Sequence, residues 1–100
     1  MTASIKDFID KDCLDKGLYR QSKHAIERER ERERNIDLPD VLYVLRNGYH
    51  EKQKTTFDEV FETWKYAVRG KTIDESDIRI IIAFDDTGMM IITVMHVVKG

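Results

Sequence analysis

The sequence has 100 residues, of which 36% are charged and 41% hydrophobic, and its formal net charge is −2. This length and composition predict a single domain, residues 1–100, with a modest core and a highly charged surface. The balanced charge gives no overall nucleic-acid signal, so an RNA site would need local clustering of cations. Because Cys13 is the only cysteine, an intrachain disulfide and a zinc site of several cysteines are excluded.

The N-terminal residues lack the basic and apolar regions of a signal peptide, and no apolar run is long enough to cross a membrane. We therefore predict a cytoplasmic protein without membrane attachment, which a lone cysteine also fits. His24, His50 and His96 have no metal-ligand spacing, and no phosphate-binding glycine loop is present. We expect neither a metal nor a cofactor, and we interpret His50 and His96 as structural or surface residues.

The first half of the chain is predicted to form three helices. Apolar residues at helical spacing from Ile5 to Cys13 predict an N-terminal helix within residues 1–21. Two further helices are predicted within residues 22–48. Ser22 and Asp37 are their expected N-caps, and Gly48 closes the second of them.

The most biased stretch of the sequence is the Glu–Arg repeat of residues 27–34. Glu and Arg favour a helix over a strand, and on a helix His24, Arg28 and Arg32 share one face. Free N–H groups at a helix N-terminus disfavour an imidazolium and attract anions, so His24 is expected to be neutral, as a general base must be. This face is either a solvated surface or a cationic site.

Residues 49–100 are predicted to form an antiparallel sheet of three or four strands. Residues 49–57 are an edge strand or a loop, whereas 63–70, 77–85 and 89–98 alternate as strands do. In the last strand, strict alternation would place Met90, Ile92 and Val94 on one face. The last two strands are apolar on both faces, so either the first helix or another molecule is expected to cover the second face.

Two segments carry a family resemblance. One contains His24-Ala25-x-x-Arg28, the Glu–Arg repeat and the helix that ends at Gly48; the other runs from Trp64-x-Tyr66 through residues 79–85 to 90–94. Together they resemble a widespread bacterial family of unknown function, which is similar to RelE-, BrnT- and MqsR-type toxins of toxin–antitoxin modules. The resemblance implies an α+β fold, with N-terminal helices packed on the sheet, and metal-independent ribonuclease activity. The second helix is predicted to be longer than is usual in the family. The direction in which residues 30–34 face is therefore left open.

RNA cleavage without a metal needs a base for the 2′-OH, a proton donor for the leaving oxygen and cations for the phosphate. We predict catalytic roles for His24, Arg28, Tyr66 and Arg69. We predict RNA binding by Arg32, Lys71, Arg79 and Trp64. An aromatic side chain on a strand stacks bases without sequence preference, although core packing is its commoner role.

The leading hypothesis is therefore a toxin-like ribonuclease that binds RNA and is neutralised by an antitoxin or another protein partner. The main alternative is a non-catalytic module that dimerises or binds a partner through the apolar sheet, which the acidic charge balance favours. A third reading is an inhibitor or immunity-type protein that binds a basic enzyme through Asp58, Glu59, Glu62, Asp74, Glu75 and Asp77. Convergence of His24, Arg28 and a cation of the sheet in one cleft would favour catalysis.

Overall fold

The computed structural model describes residues 5–30 and 36–97, and of residues 24 and 28–30 it describes the backbone alone. The N-terminal elements are helix α1 (Ile5–Asp7), which continues as a π-helix (Phe8–Leu14), then strand β1 (Tyr19–Gln21), α2 (Lys23–Arg30) and α3 (Leu38–Asn47). They are followed by β2 (Tyr49–His50), a 3-10 turn (Lys52–Lys54), β3 (Thr56–Asp58), β4 (Thr63–Lys71), β5 (Asp77–Asp85) and β6 (Gly88–His96). The fold is α+β, as the sequence predicts, and none of the helices described is long and apolar enough to span a membrane.

The strands within the described ranges form one six-stranded sheet in the order β1-β6-β5-β4-β2, and β3 also pairs with β4. β1 runs parallel to β6, whereas the other pairs are antiparallel. The prediction of three or four antiparallel strands is therefore wrong in number and in the direction of β1. β1, β2 and β3 span only two or three residues each, which is too short for an alternating pattern to show in the sequence.

The starts of the helices follow the predicted caps. Ser22 Oγ accepts a hydrogen bond of 3.0 Å from the backbone N–H of Ala25, which confirms Ser22 as the N-cap of α2. Asp37 and Asp40 form a reciprocal capping box at the start of α3. These short-range interactions depend only on residues close in sequence, which is why the sequence predicts them well.

One face of the sheet carries the core, and we call it the helix face. Its strand residues are Val68, Ile78, Ile80, Ile82, Met89, Ile91 and Val94, and its helix residues include Ile9, Cys13, Ala25, Val41, Val44 and Leu45. The first helix thus packs on the same face as α2 and α3. It does not cover the opposite face, which we call the open face, so the first of the two predicted coverings is wrong.

A β-bulge at Ile92 interrupts the alternation of β6. Ile81 pairs with Thr93 and Ile82 pairs with Ile91, so the register leaves Ile92 without a partner on β5. As a result Val94 lies on the helix face together with Ile91, and the predicted strict alternation is wrong. The bulge keeps both halves of β6 packed against the core.

Candidate functional site

The predicted catalytic residues His24 and Arg28 belong to α2, whose start is fixed on β6 at the bulge. The backbone N–H of Ser22 donates to the carbonyl oxygen of Ile91 at 2.8 Å, and Ser22 Oγ donates to that of Ile92 at 2.6 Å. The same Oγ caps α2, so one serine links the bulge to the first turn of the helix. We call this region the α2–β6 junction.

Position 24 is the second residue of α2, and position 28 follows one turn later. The first-turn N–H groups of a helix that no cap occupies are well suited to bind a phosphate oxygen, and in α2 the cap Ser22 already occupies that of Ala25. The side chains of His24 and Arg28 and the whole of Arg32 lie outside what the structure describes. Their predicted roles therefore stay predictions.

Arg69 and Arg79, two predicted site residues, lie directly opposite each other on β4 and β5. Glu51 bridges them, with Arg69 Nη1 at 3.3 Å from Glu51 Oε2 and Arg79 Nε at 2.5 Å from Glu51 Oε1. Asp77 binds the other edge of the Arg69 guanidinium, with distances of 3.1 Å and 2.7 Å. Two cations and two carboxylates thus form a compact network on the open face, which we call the Glu51 network.

The Glu51 network is largely shielded from solvent, since the Glu51 side chain is only 11% exposed. Hydrogen bonds from Arg79, and then from Arg69, hold the pKa of Glu51 below its ordinary value, so the bridging carboxylate stays ionised. Glu51 follows β2, which β4 and β5 separate from β6 in the strand order. Through Glu51 the structure brings the two arginines together with each other.

Trp64 and Tyr66 lie on the helix face of β4 in different surroundings. The Tyr66 ring packs against Phe84 at a centroid distance of 5.4 Å and against His50 at 5.7 Å. Trp64 is 49% exposed and packs edge-to-face on Phe57 at 5.3 Å. Tyr66 is thus part of the aromatic packing, whereas the Trp64 indole is accessible, as is Lys71 at the end of β4.

His50 has a more defined environment than the sequence suggests. Its Nε2 is 2.8 Å from Thr55 Oγ1, and the Thr55 hydroxyl donates to the carbonyl oxygen of Glu51 and accepts from the N–H of Ala67. Because the single hydroxyl proton is used, His50 Nε2 must be the donor to Thr55. Burial, and then the charge of Lys52, lower the pKa of His50, so the ring is held neutral with Nδ1 as its acceptor.

The turn between β3 and β4 carries the most exposed of the large apolar side chains in the described residues. Val60 is 85% exposed and Phe61 is 76% exposed. Asp58 Oδ1 accepts hydrogen bonds from the backbone N–H groups of both, at 2.9 Å and 3.2 Å. Lys65 Nζ lies 2.8 Å from Asp58 Oδ2, so Asp58 links the backbone of this turn to β4 although the apolar side chains of the turn face solvent.

Phe61 forms one wall of an apolar cavity of about 460 Å³ on the open face. Its other walls include Thr63 and Lys65 from β4, Ala83 from β5, and Met90 and Ile92 from β6. This volume is within the range of small-molecule and peptide side-chain sites. The sequence did not indicate this cavity, because Val60 and Phe61 stand in an acidic connection that no strand pattern covers.

A family model described as a domain of unknown function (DUF4258) matches residues 21–96, from the end of β1 through β6. The match covers both segments that carry the resemblance in the sequence, and it begins after the first helix. No curated protein and no solved structure is significantly similar to the chain. The predicted relationship to RelE- and BrnT-type toxins therefore stays a prediction.

Proposed function

The chain belongs to the DUF4258 family, and we propose that it is a toxin-like, metal-independent endoribonuclease controlled by a protein antitoxin. The observation that supports this proposal is the α2–β6 junction. There, Ser22 fixes on β6 the helix turn that contains His24 and precedes Arg28. A fixed first turn brings the N–H groups that the cap leaves available for an anion, a histidine and an arginine into one short segment.

In the proposed reaction His24 takes the proton of a ribose 2′-OH, and the oxygen attacks the adjacent phosphorus. The bond from phosphorus to the 5′ oxygen breaks, which leaves a 2′,3′-cyclic phosphate and a 5′-OH that receives a proton from the imidazolium or from water. Arg28 and Arg32 are the proposed cations that stabilise the charge on the phosphate oxygens. RNA is the proposed substrate, and no metal takes part.

The residues outside α2 contribute unequally to this proposal. The guanidinium groups of Arg69 and Arg79 are occupied by Glu51 and Asp77, so we assign them to the stability of the sheet rather than to phosphate binding. Tyr66 is packed among aromatic rings and is not assigned a proton-transfer step. Trp64 is accessible for stacking on an unpaired base, and Lys71 is accessible to an RNA backbone.

The test is cleavage of a fluorescent single-stranded RNA by the purified protein in the presence of EDTA. We expect His24→Ala to lower the rate by about a hundredfold or more, the usual contribution of a general base, and Arg28→Lys to retain more activity than Arg28→Ala. His50→Ala is the matched control, because it removes a histidine of β2, away from α2. Circular dichroism checks that each variant folds.

Equal cleavage by wild type and His24→Ala would contradict the assignment of His24 as the base. Loss of activity in His50→Ala alone would indicate that the active site lies at β2. If no RNA is cleaved, the catalytic proposal fails. The second candidate function would then be a non-catalytic binding module, which the exposed Val60 and Phe61 favour.

A further inference from the structure

We propose that the open-face cavity and the β3–β4 turn form a docking site for a basic amphipathic segment of a protein partner. We call this site the hairpin cavity, and define it by Val60, Phe61 and the cavity walls that include Ala83, Met90 and Ile92. It lies on the opposite face of the sheet from the helices. The proposal therefore stands on its own observations and does not depend on RNA cleavage.

The apolar part of the hairpin cavity has the features of a preformed recognition site. Phe61 is 76% exposed yet lines the cavity, so an apolar side chain of a partner can contact both the ring and the cavity walls. The two hydrogen bonds that Asp58 accepts constrain the backbone from which the Val60 and Phe61 side chains project. Such preorganisation reduces the conformational entropy that binding must otherwise remove.

The charges around the hairpin cavity determine the chemistry of the occupant. The nearby cations are already paired: Lys65 binds Asp58, and Arg20 binds Asp85 as well as Thr87 Oγ1. Three further exposed carboxylates follow in the two adjacent turns, and among the residues that the structure describes none of them has a cationic partner. They are Glu59, Glu62 and Asp86.

An apolar cavity with excess negative charge selects among possible occupants. The phosphates of RNA would be repelled by these carboxylates. A second copy of the chain, docked through the same site about a two-fold axis, would bring two sets of Glu59 and Glu62 side chains together. A segment with apolar residues on one face and Lys or Arg on either side satisfies both the cavity and the rim.

The proposal can be tested with synthetic peptides of about four helical turns, measured by fluorescence anisotropy against the full chain. One peptide has a leucine face and lysines elsewhere. A second has the same leucines with glutamates in place of the lysines, and a third has the composition of the first in an order that removes the apolar face. We expect the first peptide to bind, and the other two to bind at least about tenfold more weakly.

Two pairs of variants distinguish specific docking from nonspecific hydrophobic and electrostatic binding. Phe61→Ser is expected to weaken the binding of the lysine peptide by about tenfold or more. Ile73→Ser, which alters another exposed apolar residue, should leave the binding affinity unchanged. The double variant Glu59→Gln, Glu62→Gln is expected to weaken binding in a salt-dependent way, whereas Asp74→Asn does not. Because all of these side chains are exposed, none of the changes should unfold the protein.

Three results would overturn the proposal. If the lysine peptide does not bind, the hairpin cavity is not a docking site. If the lysine and glutamate peptides bind equally well, the carboxylates do not select a basic partner. If light scattering shows a dimer that Phe61→Ser dissociates, the occupant is a second copy of the chain. A ribonuclease that keeps full activity after Phe61→Ser is consistent with docking, so failure of one proposal is distinguishable from failure of the other.

Discussion

The helix face and the open face are built by alternate residues of the same strands, yet they have different chemistry. On β5, Ile78, Ile80 and Ile82 are fully buried under the helices, whereas Arg79 and Ile81 are half-buried on the other side. The helix face is a continuous apolar core. The open face has an ion network at one end and the hairpin cavity at the other.

The comparison shows that hydrophobicity alone does not determine which face of a strand is covered. Ile81 and Met90 are as apolar as the core residues, but α1, α2 and α3 pack on the other side. Arg69 and Arg79 would repel each other as direct cross-strand neighbours, and Glu51 converts that repulsion into two attractive contacts. The open face therefore depends on Glu51 from a short edge segment as well as on Asp77 of its own strand β5.

The largest expected effect tests the two faces with neighbouring residues of β5. Ile80→Ala should lower the free energy of unfolding by about 2–5 kcal/mol, because it leaves a cavity in a packed core. Ile81→Ala should cost about 1 kcal/mol, because its site is half-buried and open to water. Urea denaturation measures both. Equal losses would mean that the open face is covered in solution.

A smaller effect tests the Glu51 network. Glu51→Gln should lower the free energy of unfolding by about 1–3 kcal/mol, because it removes the charge that two opposed guanidinium groups share. Glu59→Gln is the matched control, since that side chain is exposed and unpaired among the described residues, and it should change the stability by less than about 0.5 kcal/mol. A similar loss in both variants would show that net charge, and not the network, is responsible.

The smallest expected effect concerns pH. Because the folded protein lowers the pKa of His50 below its ordinary value of 6.5, the unfolded chain binds more protons in the window below that value. The stabilisation from a neutral His50 is therefore present above pH 6.5 and is lost as the pH falls toward the lowered pKa. His50→Gln keeps a donor for Thr55 and should flatten this part of the stability profile. An unchanged profile would contradict the assigned environment.

At more acidic pH, the change in the free energy of unfolding is due to a different group, Glu51. The lowered pKa of Glu51 gives stability that is present above the ordinary carboxyl range and is lost as the pH falls through the lowered value. This window lies below that of His50, so urea denaturation at several pH values separates them. Glu51→Gln should alter the pH dependence of stability only in the Glu51 range. A change in the His50 range as well would indicate that the two sites are coupled.

Much of the fold was accessible from local patterns. The caps Ser22 and Asp37, the three long strands and the α+β class all follow from residues close together in the sequence. The parallel strand β1 and the bulge at Ile92 did not follow, because each depends on pairing with a distant part of the chain. For the candidate site, the sequence predicted that His24 and Arg28 lie on one helix, but it gave no signal that this helix begins at the bulge.

By itself, the sequence determined which segments form helices and long strands, where the helices start, and which residue types are available for chemistry. These features come from spacing and capping, which act over a few residues. The tertiary structure alone decided that Arg69 and Arg79 share Glu51, that Thr55 fixes the His50 tautomer, and that Phe61 lines a cavity. Such contacts join residues far apart in the chain, so their chemistry exists only once the sheet has assembled.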